Sequence, residues 1–236
     1  MRDDVARRLL ALNQAFYGKF AQPFAQSRAN PQPGFKHLLP FVPEACRRVL
    51  DVGCGEGRFG RFLLAELPAL SYIGVDFSPE LLARAEKALP EGAFYYRDIS
   101  RTDALHGLGD FELVSSLAVL QHIPGRAGRA QALRAMAERL TGEGRLFLST
   151  WQFLDSKRQR RKIVSWERAG LADEAVDDGD YLMTWGTARE GLRYVAYIDR
   201  AEVKALAKEA GLSVIDDFRS DGREGDLNLY SILRPQ

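Results

Sequence analysis

Gly53, Gly55 and Gly57 stand at alternate positions in the run V-L-D-V-G-C-G-E-G-R-F-G over residues 49–60. Glycines so spaced let a chain turn sharply through positive φ and bring bare amide N–H groups against a ligand, because no Cβ stands in the way. Cys54 lies inside the turn and Asp51 just ahead of it. A second acid, Asp76, follows about twenty residues after the turn, where nucleotide-binding folds place a carboxylate on ribose hydroxyls. A third, Asp98, follows a further apolar stretch. These types and spacings favour the holding of a nucleoside-containing cofactor. A plain strand-to-helix turn accounts for the glycines alone, and Asp76 also precedes Ser78-Pro79-Glu80, a helix-start signal. Acids at successive strand ends tip the reading toward a ligand.

To bring these residues together the chain must repeat strand, turn and helix. Val49, Leu50 and Val52 suit a buried strand, residues 58–67 carry helical apolar spacing, and residues 71–75, 93–96 and 111–117 read as further strands. A helix over 126–140 and a fifth strand over 145–149, after a Gly142 and Gly144 turn, complete an alternation that implies a parallel sheet. Ahead of it lie a helix over 4–17 and an irregular segment, 22–43, holding Pro23, Pro31, Pro33, Pro40 and Pro43. Behind it, residues 152–168 read as a charged helix and 181–185 with 192–198 as a hairpin forming a lid or insertion. A helix over 200–210 then leads to strands 212–218 and 227–233, an antiparallel pair closing the sheet edge.

With 236 residues, 46% of them hydrophobic, the chain supports one sizeable α/β core and not a second full domain. Its parts are 1–45, on the substrate side; 46–151, the cofactor core; 152–199, basic helix and hairpin; and 200–236, the closing helix and hairpin. The formal charge of +1 exerts no global pull on nucleic acid or membrane, so a polyanion needs a local patch. Lys157, Arg158, Arg160, Arg161 and Lys162 form one dense patch. It reads as a solvated face balanced by Asp173, Glu174, Asp177, Asp178 and Asp180, or as phosphate contact. No apolar run approaches membrane-spanning length, the opening residues carry acids and lack the apolar core expected of a secretion signal, and Cys46 and Cys54 make no disulfide framework. A soluble, cytoplasmic protein is expected. Two cysteines and three scattered histidines lack the spacing of a metal site.

Beyond the glycine turn come Y-I-G-V-D-F-S-P-E-L-L, Y-R-D-I, F-E-L-V-S-S-L-A-V-L-Q-H-I and G-E-G-R-L-F-L-S-T-W. In order and spacing these resemble the motifs of the class I S-adenosylmethionine-dependent methyltransferases. The resemblance implies a Rossmann-like α/β fold: a largely parallel seven-stranded sheet, an antiparallel C-terminal hairpin and helices on both faces. It implies S-adenosyl-L-methionine as cofactor, held by Asp51, Gly53, Cys54, Gly55, Gly57, Asp76, Phe77, Asp98, Ile99 and Leu117. Within that site Asp51 and Gly53 fall at the methionine end, Asp76 on the ribose diol and Asp98 near the adenine amino group. A nicotinamide dehydrogenase shares the glycine turn and the second acid, but its fingerprint wants glycine where Arg58 stands.

The flanks resemble, more narrowly, the tRNA methyltransferases that esterify the 5-carboxymethyl group of wobble uridine. F-Y-G-K-F-A-Q-P-F-A-Q-S-R-A-N-P-Q-P carries Tyr17, Ala21, Phe24, Ser27, Arg28, Pro31 and Pro33 of that pattern, and S-L-A-V-L-Q-H carries His122. Trp151 and Gln152 follow the fifth strand, G-D-Y-L-M-T-W and L-R-Y-V-A-Y bring Asp180, Trp185, Arg193 and Tyr194, and Asn228 and Tyr230 come near the end. Gln32, Ala196 and Leu229 depart from it, standing where that family has tryptophan, histidine and tryptophan. This resemblance implies a tRNA partner met through the basic patch, and a small zinc-binding activator subunit. The alternative is a small-molecule O-, N- or C-methyltransferase.

A carboxylate acceptor is already ionised near neutral pH and needs no strong base, so alignment is the enzyme's task. Arg28 and Arg193 are candidates to clamp a carboxylate or phosphate by paired hydrogen bonds, or else surface salt-bridge residues. Tyr17 and Tyr194 are candidates to close over the donor or stack on a base, and His122 to act as base for a hydroxyl or carbon acceptor. Trp151 and Trp185 read as core or pocket wall.

Overall fold

The computed structural model describes residues 1–26, 30–186 and 189–236, with residues 24–26 described by their backbone alone. Helix α1 (Asp3–Gln26) leads, followed by a short helix α2 (Gly34–Leu38). Strands and helices then alternate: β1 (Arg48–Val52), α3 (Arg58–Glu66), β2 (Ser71–Asp76), α4 (Pro79–Ala88), β3 (Ala93–Tyr96), β4 (Phe111–Leu117), α5 (Arg126–Ala137) and β5 (Leu140–Trp151). After them come α6 (Lys157–Arg160), β6 (Ile163–Val164), β7 (Asp180–Trp185), β8 (Gly191–Ala196), α7 (Arg200–Glu209), β9 (Leu212–Ser220) and β10 (Asn228–Pro235). Local chemistry sets the helix starts. Ser78 Oγ accepts from the Leu81 N–H ahead of Pro79 in α4, and Asp199 accepts from the Glu202 N–H in α7.

Among the described residues seven strands form one sheet in the order β3-β2-β1-β4-β5-β10-β9, parallel except for β10, which runs antiparallel to both β5 and β9. Successive strand residues fall into different apolar clusters: Val49, Leu113, Phe147 and Ile232 into one, Leu50, Val114, Leu148 and Leu233 into the other. That alternation is the pleat of a sheet covered on both faces. Phe35 of α2 and Phe59, Phe62 and Leu63 of α3 belong to the first cluster; Leu133 of α5, Leu206 of α7 and Val5 and Leu9 of α1 belong to the second. β6, β7 and β8 form a separate antiparallel sheet. Asn13 of α1 locks onto it: its Oδ1 accepts from the Tyr194 N–H at 2.8 Å and its Nδ2 donates to the Tyr194 carbonyl at 3.2 Å.

Three sequence expectations are corrected. The N-terminal helix does not stop at residue 17, because Phe16, Tyr17, Phe20 and Ala21 share one helix face and bury it against Leu81, Phe77 and Trp185. That packing outweighs the weak helix propensity of Gly18 and carries the helix past Pro23. Residues 152–168 are not one charged helix: α6 is a single turn, and Ile163 and Val164 pair with Met183 and Leu182 of β7. β5 begins at Leu140, not 145, so Gly142 and Gly144 lie inside it where the register against β4 shifts. Among the described residues no helix is long and apolar enough to cross a membrane, and no three His, Cys, Asp or Glu side chains are grouped to hold a metal.

Candidate active site

Strand order reverses between β1 and β4, and ligands of open α/β sheets bind beyond the carboxyl ends of the strands at that reversal. A cavity with about 970 Å³ of empty space, partly open to solvent, lies there. Its wall takes Asp51 to Gly53 from the end of β1, Val75 to Phe77 from β2, Ile99 from beyond β3 and Leu117 to Val119 from β4. The glycine turn forms its floor. Gly53 has φ 73°, and a Cβ there would fall 2.3 Å from Val119 Cγ2, so only glycine keeps the turn pressed against the β4 loop. Across the turn Ala118 holds φ 61°, strained for a residue with a side chain.

Three carboxylates line this cavity, Asp51, Glu56 and Asp76, and Asp51 and Asp76 are buried. Asp51 is buried and accepts from the Tyr72 hydroxyl at 2.6 Å and the Ser115 hydroxyl at 2.7 Å. Burial pushes its carboxyl up to about 6 despite those donors, with the nearby Asp76 charge adding to the rise. Asp76 accepts from the Gly55 N–H and the Ser78 N–H, both at 2.9 Å. Burial raises its pKa as well, and the backbone donors oppose the rise. The Phe77 N–H is a third backbone donor to Asp76, and two oxygens together still leave lone-pair capacity for a hydroxyl donor.

Tyr17 and His122 line the cavity opposite the turn, the Tyr17 hydroxyl 3.1 Å from His122 Nε2. His122 Nδ1 lies 3.2 Å from the Tyr194 carbonyl. A carbonyl only accepts, so Nδ1 carries a proton toward it, and Nε2 is left to share a hydrogen bond with the Tyr17 hydroxyl. Arg193 stands just behind Tyr17, only 3% exposed, its guanidinium 4.8 Å from the Trp151 ring centroid and 5.5 Å from that of Phe16. Burial lowers its pKa and the Tyr17 hydroxyl offsets part of that. Among the described residues it makes no ion pair, and its Nε has no hydrogen-bond partner.

Other expected residues sit elsewhere. Tyr194 does not close over the cavity: it is fully buried, donates to Asp180 Oδ1 at 2.6 Å and accepts from Arg129 Nη1 at 3.1 Å. It neighbours Arg193 on β8, and the pleat sends the two side chains to opposite faces. Asp98 Oδ1 accepts from the Ser100 N–H and hydroxyl of its own loop, and it is Arg97 and Ile99 that line the cavity. Gly57 precedes the first turn of α3 with φ 72° and is not itself in the wall, though Glu56 and Arg58 on either side of it are. Cys54, Gly55, Phe77, Ile99 and Leu117 are all in the wall. Arg28 lies outside the described residues.

Comparison with known proteins turns this geometry into an assignment. Residues 50–146 match the family described as "Methyltransferase domain". A protein of Encephalitozoon cuniculi described as a methyltransferase is 32% identical over 85% of this chain and 87% of its own length. The chain belongs to the class I S-adenosylmethionine-dependent methyltransferases. Trans-aconitate 2-methyltransferase of Methylobacterium nodulans is 35% identical over 44% of this chain, which spans 38% of that relative's length. Among solved structures, an S-adenosylmethionine-dependent methyltransferase from Clostridium acetobutylicum shares the fold with a TM-score of 0.67 at 15% identity, over 93% of this chain and 98% of its own. A methyltransferase of Haloferax volcanii, in complex with the Trm112 methyltransferase activator, has a TM-score of 0.66 at 16% identity, over 94% and 97%.

S-adenosyl-L-methionine is therefore the methyltransferase's cofactor, and it supplies an electrophilic methyl group on a sulfonium. The residues present fit it: the Gly53 turn leaves the hollow a Cβ would fill, and Asp51 and Asp76 offer acceptors to an ammonium and to hydroxyls. The wall also holds Gln32, Phe35, Glu56, Arg58, Arg97, Ala118 and Val119, which carried no site assignment from sequence. Arg58 Nη2 donates to Gln32 Oε1 at 3.0 Å, so a residue departing from the tRNA-family pattern closes the methyltransferase's cavity. Only the tertiary approach of α2 to α3 brings that pair together.

Proposed function

We propose that this methyltransferase transfers a methyl group to a carboxylate oxygen, that of 5-carboxymethyl uridine in tRNA, giving the methyl ester. The observation that carries the reading is Arg193, a buried guanidinium beside the donor cavity with no carboxylate partner among the described residues. An uncompensated buried cation is costly, and an acceptor carboxylate arriving there would supply its counter-charge and a forked pair of hydrogen-bond acceptors. In this reading Tyr17 and His122 orient the acceptor and take no proton from it, since the carboxylate has none to lose. The basic run supports a polyanionic acceptor: burial and the charges of Arg193, Arg158 and Arg189 lower the pKa of Lys162, so cations crowd toward the clamp. The Haloferax volcanii complex supports a small activator subunit as partner.

A second reading is a small polycarboxylate acceptor, favoured by the relatives named for trans-aconitate. Incubating the purified protein with methyl-labelled donor and either total tRNA or a metabolite extract, with and without a co-purified activator, separates the two. Label should enter tRNA and be released by mild alkali, as an ester requires. Label confined to the metabolite pool would replace tRNA by the second reading, and alkali-stable label would remove the carboxylate. Arg193→Gln should lower acceptor kcat/KM about 10- to 150-fold, the loss of a charged hydrogen bond worth about 1.5–3 kcal/mol, while donor affinity holds.

A further inference from the structure

We propose that the groove between α2 and α3, outside the donor cavity, carries the phosphodiester backbone of the acceptor RNA; this rests on the tRNA reading above. The groove holds about 1310 Å³ of empty space opening to solvent, and Gln32 and Arg58 line both it and the cavity. Groove and donor cavity thus share the Gln32 and Arg58 wall, so backbone lying in the groove runs beside the cavity.

The charge of the groove is built in. Lys36, Arg58 and Arg61 line it against one carboxylate, Glu66, in a chain whose entire formal charge is +1. Arg58 and Arg61 are three residues apart on α3 and so share a face. Arg61 Nη1 donates to the Glu56 carbonyl at 2.7 Å, which fixes the guanidinium plane and leaves it further N–H donors. Among the described residues neither Lys36 nor Arg61 makes an ion pair, so neither is neutralised by the protein.

The groove is also rigid. The Gly34 N–H at the start of α2 donates to Asp221 Oδ1 at 2.9 Å, and Asn228 Nδ2 and the Tyr230 hydroxyl donate to Asp221 Oδ2 at 2.8 and 2.5 Å. That buried knot ties α2, and with it Lys36, to the β9–β10 end of the sheet. Cations spread along a preformed groove suit successive phosphates, with guanidinium forks matching phosphate oxygens. A lone small carboxylate needs only one guanidinium, such as Arg193 behind the cavity wall.

The test is fluorescence titration of labelled total tRNA against the full chain between 50 and 200 mM salt, for wild type and the double variant Lys36→Ala, Arg61→Ala, with donor titrations alongside. Each lost single-strand phosphate contact should make log K against log salt shallower by about 0.7, so the double variant should be shallower by about 1.4. Donor affinity should stay within about twofold, a readout that general damage to the fold would move. Lys36→Gln, on an exposed side chain, should give about half the change in slope and serves if the double variant does not fold. Wild-type methylation of tRNA with unchanged slopes in these variants overturns the groove alone. A slope that falls only on Arg158→Ala, Arg160→Ala does the same. Failure of the wild type, with or without a co-purified activator, to bind or methylate tRNA at any salt overturns both the groove and the tRNA reading.

Discussion

Replacing Asp51 by asparagine should move fold stability and donor affinity in opposite directions. Asp51 is 2% exposed, and burial lifts its carboxyl from an ordinary 3.8 to about 6. At 1.36 kcal/mol per pH unit that gap is about 3 kcal/mol. Below pH 3.8 the group is protonated in both folded and unfolded chain and contributes no pH-dependent term. Between 3.8 and 6 the unfolded chain releases its proton first, so this group lowers stability as pH rises, and above 6 the full penalty persists. An asparagine at this position cannot ionise. The stability of the variant relative to wild type should therefore rise by about 3 kcal/mol between pH 3.5 and 7, or about 6–12 °C in melting temperature for a chain of this size. Donor binding should run the other way, because a methionine ammonium placed at Asp51, as proposed, needs the ionised carboxylate. Wild-type affinity should fall toward about tenfold per unit below pH 6, and the variant should bind about 10- to 150-fold more weakly at pH 7.5, the loss of a charged hydrogen bond. Circular-dichroism melts over pH 4–8 and calorimetric donor titrations over pH 5–8 measure both. Parallel melting curves for the two proteins would refute the desolvation argument. Equal donor affinities would refute the placement of Asp51 at the ammonium.

Two further substitutions separate site from scaffold. Gly53→Ala must hold φ near 73° and fit a Cβ 2.3 Å from Val119 Cγ2; the backbone alone costs about 1–2 kcal/mol, so calorimetry should show donor affinity reduced at least about tenfold, and an unchanged affinity would mean the turn does not form the cradle. Tyr194→Phe removes the hydroxyl bridging Arg129 and Asp180 and should lower stability by about 1–3 kcal/mol while kcat stays near wild type; a large fall in kcat without loss of stability would return Tyr194 to the acceptor site.

Most of the residues expected at the donor do line the cavity, because what places them there is local. Asp51, the glycines and Asp76 each sit where one strand ends, and apolar runs such as 111–117 announce those strands by composition alone. The charged stretch 152–168 was misread for the opposite reason: helical spacing is present, but Ile163 and Val164 are drawn into pairing by β7, some twenty residues later. Likewise Phe16, Tyr17 and Phe20 extend α1 only because α4 and β7 offer surface to bury them.

By itself, then, the amino-acid order determined the strand–turn–helix repeats, the glycine turn and the acids that follow it, since these depend on backbone freedom and on neighbours a few residues away. Only the tertiary structure decided which polar side chains face the cavity. Arg193 and Tyr194 are adjacent on β8 and equally plausible in sequence, yet one lies between Trp151 and Phe16 behind the cavity wall and the other is buried on Arg129 and Asp180. The pleat dictates that neighbours diverge, but which face meets the site depends on how the small sheet docks on α1, through contacts such as Asn13 to Tyr194 that join residues far apart along the chain.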